Sequence, residues 1–232
     1  MTDLRVVAAG DTALIAEFDE RIDAAVNAGA VALAHALRGA GLAGVRDIVP
    51  AYRSVTVHFD PLLADAAVLE HRVRAAASGA PAADASPGAL IHVPVCYDAE
   101  LGPDLDAVAG AAGLSTGEVV ALHLSRDYRV FMLGFVPGFA YMGTVDPRLA
   151  LPRRPEPRTA VPAGSVGIAG GQTGIYPSQT PGGWHLLGRT PLRLVSLDAA
   201  VPTLFRAGDR VRFHRVDRAL FERVARTQEF EP

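Results

Sequence analysis

Arg153, Arg154 and Arg158 are interleaved with Pro152, Pro155 and Pro157. Proline fixes its own φ and restricts the residue before it, so these guanidiniums ride on a stiffened segment. Guanidiniums held in place suit carboxylate or phosphate groups, which they grip bidentately. Downstream, GIAGGQTG is rich enough in glycine, including Gly170 and Gly171, for a backbone to approach an anion closely, although it lacks P-loop spacing. Gln172, Thr173, Tyr176, Ser178, Gln179 and Trp184 add donors, acceptors and ring faces. Between Pro152 and Pro191 the only carboxylate is Glu156 and the only imidazole is His185. Polar and aromatic groups concentrated among turns read as a binding site more than as a self-sufficient catalytic set.

Other chemistries find little support. The seven histidines (35, 58, 71, 92, 123, 185 and 214) form neither an HxH nor an HExxH arrangement, so no metal site is expected. No G-x-S-x-G elbow is present. The single cysteine, Cys96, excludes an internal disulfide and reads as a buried, inert strand residue. VAGAAGLSTGEVVALHLS has the outline of a helix–turn–helix, but its second helix offers Glu118 and His123 and no Arg, Asn or Gln. Such a helix lacks the usual groups for reading base edges or holding phosphates, and a structural helical hairpin is expected instead.

The 232 residues contain no lysine; all 22 basic residues are arginine. That excludes a lysine Schiff base, a pyridoxal-phosphate lysine, a Walker-A lysine and a biotinyl-lysine on this chain. A net charge of −3 argues against nucleic acid or an anionic membrane as partner. No run of ~18 apolar residues and no signal-peptide pattern occurs, so a cytoplasmic location is expected.

These groups must be positioned by two blocks of elements. Residues 4–9 and 12–18 read as a hairpin around Gly10-Asp11, and 21–38 as an amphipathic helix stopped by Gly39 and Gly41. Val45–Val49 and Ser54–Phe59 read as strands, and 62–77 as a second helix carrying Leu63, Ala67, Glu70 and Arg74. The order β-β-α-β-β-α implies a small α+β sandwich over 1–78. SGAPAADASPG, 79–88 taken as linker, has no large apolar residue. From 89 to 232 a strand, two short helices and a series of short apolar pieces between Gly/Pro turns imply a small β-barrel. Ser115 and Glu118 have capping-box spacing, and 218–226 reads as a terminal helix.

GFVPGFAYMG, DPRLALPRR, VPAGSVGIAGGQTGIYP and TPGGWHLLGRTP resemble the allophanate hydrolase subunit 1 family, also called carboxyltransferase subdomains C and D. Its bacterial members include the B component of the ATP-dependent 5-oxoprolinase and an inhibitor of a sporulation histidine kinase. GTVDPRL and TPGGW stand where GGLDPRL and SPGGW are commoner, departures that spare the arginines and Gln172. The resemblance implies an α+β chain, its C-terminal domain a cyclophilin-like barrel. It implies a partner subunit of carboxyltransferase subdomains A and B, and in the 5-oxoprolinase a third subunit.

On that resemblance, the chain is one subunit of a heteromeric enzyme that opens 5-oxoproline to glutamate with ATP hydrolysis. ATP is bound by this chain or elsewhere in the assembly, and the isolated chain is inactive. Arg153, Arg154 and Arg158 then hold a substrate carboxylate or a phosphorylated intermediate. Gln172, Thr173, Tyr176 and the backbone at Gly170 and Gly171 polarise the amide or position phosphate, with His123 and His185 as proton-transfer candidates. The alternatives are an allophanate hydrolase or urea-carboxylase-type carboxyltransferase subunit, and a histidine-kinase inhibitor whose groove is lined by Phe135, Phe139, Tyr141 and Trp184.

Overall fold

The computed structural model describes residues 4–21, 23–79, 88–199 and 201–232. The chain divides into two compact units, Met1–Gly88 and Ala89–Pro232. Positions 80–87 of the expected linker lie outside the described residues.

In the first unit, strands β1 (Arg5–Ala8), β2 (Ala13–Glu17), β3 (Val45–Pro50) and β4 (Ser54–Phe59) form an antiparallel sheet in the order β1-β2-β4-β3. Val55, Val57 and Phe59 alternate into the core, as a half-buried strand must. They meet Ala30, Leu33, Ala34 and Leu37 from helix α1 (Ala24–Gly39), whose start is set by Asp23 accepting from the Ala25 and Val26 N–H groups. Helix α2 runs from Ala66 to Gly79, later than its apolar spacing suggested. The Asp65 carboxylate caps it at Ala67 and Val68, while Asp60–Ala64 is a turn that leaves Leu62 and Leu63 exposed. Leu63 is therefore not a helix residue.

The second unit holds β5 (Leu90–Val95), α3 (Leu105–Ala112), α4 (Thr116–Leu124), β6 (Tyr128–Leu133), β7 (Ala140–Gly143), β8 (Arg158–Val161), β9 (Ser165–Ala169), β10 (Gln172–Ile175), β11 (Thr180–Gly182), β12 (His185–Arg189), β13 (Arg210–Arg215) and α5 (Arg218–Thr227). Seven strands pair in the order β12-β9-β10-β7-β6-β13-β5, all antiparallel except β5 with β13. Cys96, just beyond β5, exchanges two backbone hydrogen bonds of 2.9 and 3.0 Å with Arg189 at the end of β12. That bridge joins the two ends of the sheet into a nearly closed, cyclophilin-like barrel. Val93, Val95, Val130, Met142, Val166, Ile168, Ile175 and Val211 fill it.

The helical hairpin packs on this core through Leu105, Val108, Val119 and Val120. Its turn is made at Gly113 (φ 66°), a left-handed position that glycine adopts without strain. Ser115 and Glu118 form the reciprocal capping box. Among the described residues no single helix is long and apolar enough to cross a membrane.

Candidate functional site

Strand alternation sorts the Gly-rich stretch into two faces. On β10, Thr173 and Ile175 enter the barrel, while Gln172 and Gly174 face outward; on β7, Met142 enters and Tyr141 faces outward. Outside the barrel, Phe139, Val161, Ala169, Tyr176, Trp184 and Leu186 form a second, smaller core. Phe139 is its hub, with ring centroids 4.8 Å from Tyr141, 5.2 Å from Tyr176 and 5.4 Å from Trp184, all edge-to-face. A Cβ on Gly174 would stand 3.0 Å from both Phe139 Cζ and Trp184 Cζ3. Glycine here lets two rings lie directly on the sheet.

The four expected groove residues therefore come together, but not as a uniform lining. Phe139 and Trp184 are buried and Tyr141 half-buried. Phe135 is exposed, with φ 70° and its ring centroid 5.7 Å from that of Phe139. A bulky residue at positive φ is strained, and its surroundings must hold it there. Here Gly134 N–H donates to Phe139 O and Phe139 N–H to Val136 O, closing the GFVPGF loop on itself.

Beside this shelf lies a polar staple that sequence reasoning missed. Asp104, buried at the start of α3, does not cap its helix. Its Oδ1 accepts from Arg154 Nη1 (2.9 Å) and Arg158 Nη2 (2.8 Å), and its Oδ2 from Arg158 Nη1 (2.8 Å) and Leu186 N–H (2.8 Å). Burial alone would raise the pKa of this carboxyl, but the Arg158 hydrogen bonds, the Leu186 N–H and both cationic charges outweigh it and hold the pKa below the ordinary value. Arg154 and Arg158 are thus already paired with a carboxylate. Their expected role as free anion ligands is corrected: they pin the proline-rich segment to α3 and β12. Arg153 is exposed, and among the described residues no carboxylate pairs with it.

The glycine turn is also committed. Gly170 (φ 55°) and Gly171 join β9 to β10; Gly170 N–H donates to Leu151 O (2.6 Å), and Gly171 O accepts from Val145 N–H (3.0 Å). These groups tie neighbouring loops together instead of forming a phosphate cradle.

His123 and Thr173 lie inside the barrel, fully buried. Thr173 Oγ1 donates to Gly167 O (3.1 Å), so it must accept from His123 Nε2–H (3.0 Å). That leaves His123 Nδ1 to accept from Tyr97 O–H (2.8 Å). The imidazole stacks on Phe213 at 4.7 Å, and burial pushes its pKa down to about 3. A neutral core histidine satisfied on both nitrogens cannot serve a surface reaction, so the proton-transfer role of His123 is corrected. Thr173 and Tyr176 are buried likewise, and burial raises the pKa of the Tyr176 phenol.

His185 is differently placed. Its Nε2–H donates to Pro152 O (2.9 Å), while Nδ1 is buried and has no hydrogen-bond partner. With Arg154 N–H donating to Gly183 O (2.8 Å), this bond brings His185 and Trp184 to the base of the arginine loop. Gln172, half-buried on the outer face, and exposed Arg153 complete the patch. Among the described residues no three His, Cys, Asp or Glu side chains converge as a metal site requires.

Comparison with known proteins agrees with this architecture. Residues 4–205 match the carboxyltransferase domain, subdomain C and D, family model. The chain is 40% identical over 221 residues to the B component of the Bacillus subtilis (strain 168) 5-oxoprolinase, covering 89% of this chain and 90% of that one. It is 54% identical over 124 residues to the B component of the Escherichia coli O157:H7 5-oxoprolinase, covering 53% of this chain and 57% of that one. Among solved structures, TTHA0988 superposes with a TM-score of 0.81 at 41% identity, over 88% of this chain but only 40% of that longer chain. The Kluyveromyces lactis urea amidolyase, 21% identical, shares the fold with a TM-score of 0.75 over 96% of this chain and 15% of its own. A barrel closed at Cys96 and Arg189, an outer aromatic shelf and a family match across most of the sequence lead to one assignment: the chain belongs to the carboxyltransferase subdomain C and D family.

Proposed function

We propose that the chain is a subunit of a heteromeric ATP-dependent 5-oxoprolinase, acting with a subunit that carries subdomains A and B and with a third subunit. The observation that carries this reading is the 40% identity to the B component of a 5-oxoprolinase over 90% of that protein's length. The match to the Emericella nidulans putative urea carboxylase, by contrast, is 27% identical and covers 55% of this chain. The urea-carboxylase alternative is correspondingly less favoured.

In this reading the outer face of the barrel meets the lactam. Arg153 pairs with the substrate carboxylate, since Arg154 and Arg158 are engaged by Asp104. The Gln172 amide N–H supports negative charge developing on the scissile carbonyl oxygen. His185, whose Nε2–H donates to Pro152 O while its Nδ1 is buried, holds the arginine loop beside this patch. ATP and the remaining groups come from the assembly. The chain alone is therefore catalytically silent.

The test is reconstitution of this chain with the A/B-subdomain subunit and the third subunit, followed by ATP-dependent product formation from 5-oxoproline, allophanate and urea in parallel. Glutamate formation from 5-oxoproline that requires all subunits supports the proposal. Turnover of allophanate or urea in its place, or of 5-oxoproline by this chain alone, overturns it.

A further inference from the structure

Arg189 closes the barrel seam through its backbone, but its side chain has another position to explain. A Cβ on the preceding Gly188 would lie 2.9 Å from Val95 Cγ1 and 3.2 Å from Tyr97 Cδ1, both core side chains. The Gly188 position therefore faces inward and Arg189 leaves the outer face. Ser165 stands directly opposite Arg189 in the β9–β12 register, and its neighbour Val166 enters the core. Ser165 thus leaves the same outer face as Arg189. The arginine stem crosses the start of β9, with Cγ 3.2 Å from where a Cβ on Gly164 would stand.

Both side chains are unfinished. Ser165 is fully buried and its Oγ has no hydrogen-bond partner. Arg189 Nε is buried and equally unpartnered. Arg126 and Arg154 also bury a bare Nε, yet each holds a carboxylate through a terminal nitrogen. Among the described residues no carboxylate pairs with Arg189. The charge that acts on it is Arg218, of like sign, whose own counter-ions are Asp98 and Glu100. Burial, and after it Arg218, lowers the pKa of Arg189. Buried donors and a half-buried cation without partners are costly, and native structures rarely keep them without a use.

We propose that Arg189 and Ser165 form an oxyanion-binding subsite at the barrel seam, taking the carboxylate or phosphate group of a small molecule. Arg189 Nε–H and one terminal N–H fork onto two oxygens of the anion, and the Ser165 hydroxyl donates to one of them. Arg218 adds a second positive charge nearby. The substrate-facing patch around Arg153 and Gln172 plays no part in this inference, so failure of either reading leaves the other standing.

The experiment follows the arginine Nε–Hε resonances of the full ¹⁵N-labelled chain during titration with inorganic phosphate or acetate, at ionic strength held constant with sodium chloride. One resonance, absent in Arg189→Gln, should move saturably. Ser165→Ala should weaken the affinity about tenfold to a hundredfold, as expected for one lost hydrogen bond to a charged group. Tighter binding of phosphate assigns a phosphoryl ligand, and tighter binding of acetate a carboxylate. If Arg189→Gln does not fold, Arg189→Lys replaces it for the assignment, because it too lacks the Arg189 Nε–Hε resonance. A resonance unmoved by both anions, or an affinity unchanged in Ser165→Ala, overturns the proposal.

Discussion

Replacing Asp104 with Asn tests whether the arginine loop is held by the staple. The side chain keeps its shape, so any effect comes from hydrogen bonding and charge. Asp104 accepts four hydrogen bonds, three of them from guanidiniums. An Asn oxygen can keep the Leu186 N–H and one Arg158 donor, but its NH₂ group then faces the remaining guanidinium donors. Two charge-assisted bonds are lost, each worth about 1.5–3 kcal/mol. The arginine side chains are 31% and 24% exposed, so water recovers part of the loss. A net destabilisation of about 3 kcal/mol remains, within the range for breaking a buried pair. For a protein of this size each kcal/mol shifts Tm by about 2–4 °C, which gives a fall of roughly 6–12 °C. The single tryptophan, Trp184, is the natural probe, because Gly183 O beside it accepts from Arg154 N–H. Thermal melts of wild type and Asp104→Asn, followed by Trp184 fluorescence, measure the shift. A fall below about 2 °C, less than 1 kcal/mol would produce, would mean that the two lost guanidinium bonds contribute nothing net to holding the loop.

The buried His123 makes an acid-sensitivity prediction. Its folded pKa of about 3 lies below its ordinary value of 6.5. Between these values the unfolded chain binds the extra proton, so stability is lost as pH falls, at ~1.4 kcal/mol per pH unit. His123→Gln can still accept from Tyr97 and donate to Thr173; its unfolding free energy, measured by urea titration from about pH 6.5 down to about pH 4, should lose that slope. Gly174→Ala should cost about 1–3 kcal/mol, because the new methyl meets Phe139, Trp184 and the Ala140 carbonyl at 3.0 Å; a Tm equal to wild type would show that the rings are not seated on the sheet. In the reconstituted enzyme, Gln172→Ala should lower kcat by roughly 10²–10³, the loss seen on removing one oxyanion donor. Arg153→Met should act mainly on KM for the substrate carboxylate, and near-normal constants in both variants would remove the outer face from the reaction.

Much of the scaffold was legible in the residues themselves. Local signals carry through: Gly10-Asp11 makes a turn, Ser115 and Glu118 make a capping box, and Val55, Val57 and Phe59 alternate into a core. Each depends on neighbours within a few positions, which any chain segment brings with it. The family motifs likewise mark the stretch from 134 to 191 as special. The partners of those motifs were not legible. Asp104 is 50 and 54 residues from the arginines it binds, and His123 is 50 residues from Thr173. Only barrel closure brings them together. Burial then decides their chemistry: the same imidazole that reads as a proton-transfer group in sequence is a neutral core side chain once water is excluded. Arg154 and Arg158, which read as free clamps, are both engaged by one carboxylate that local sequence assigns to a helix start. Residue type determines which interactions a side chain is able to make. Tertiary structure decides which of those are already satisfied, because hydrogen-bond capacity and charge used inside the fold are no longer open to a ligand.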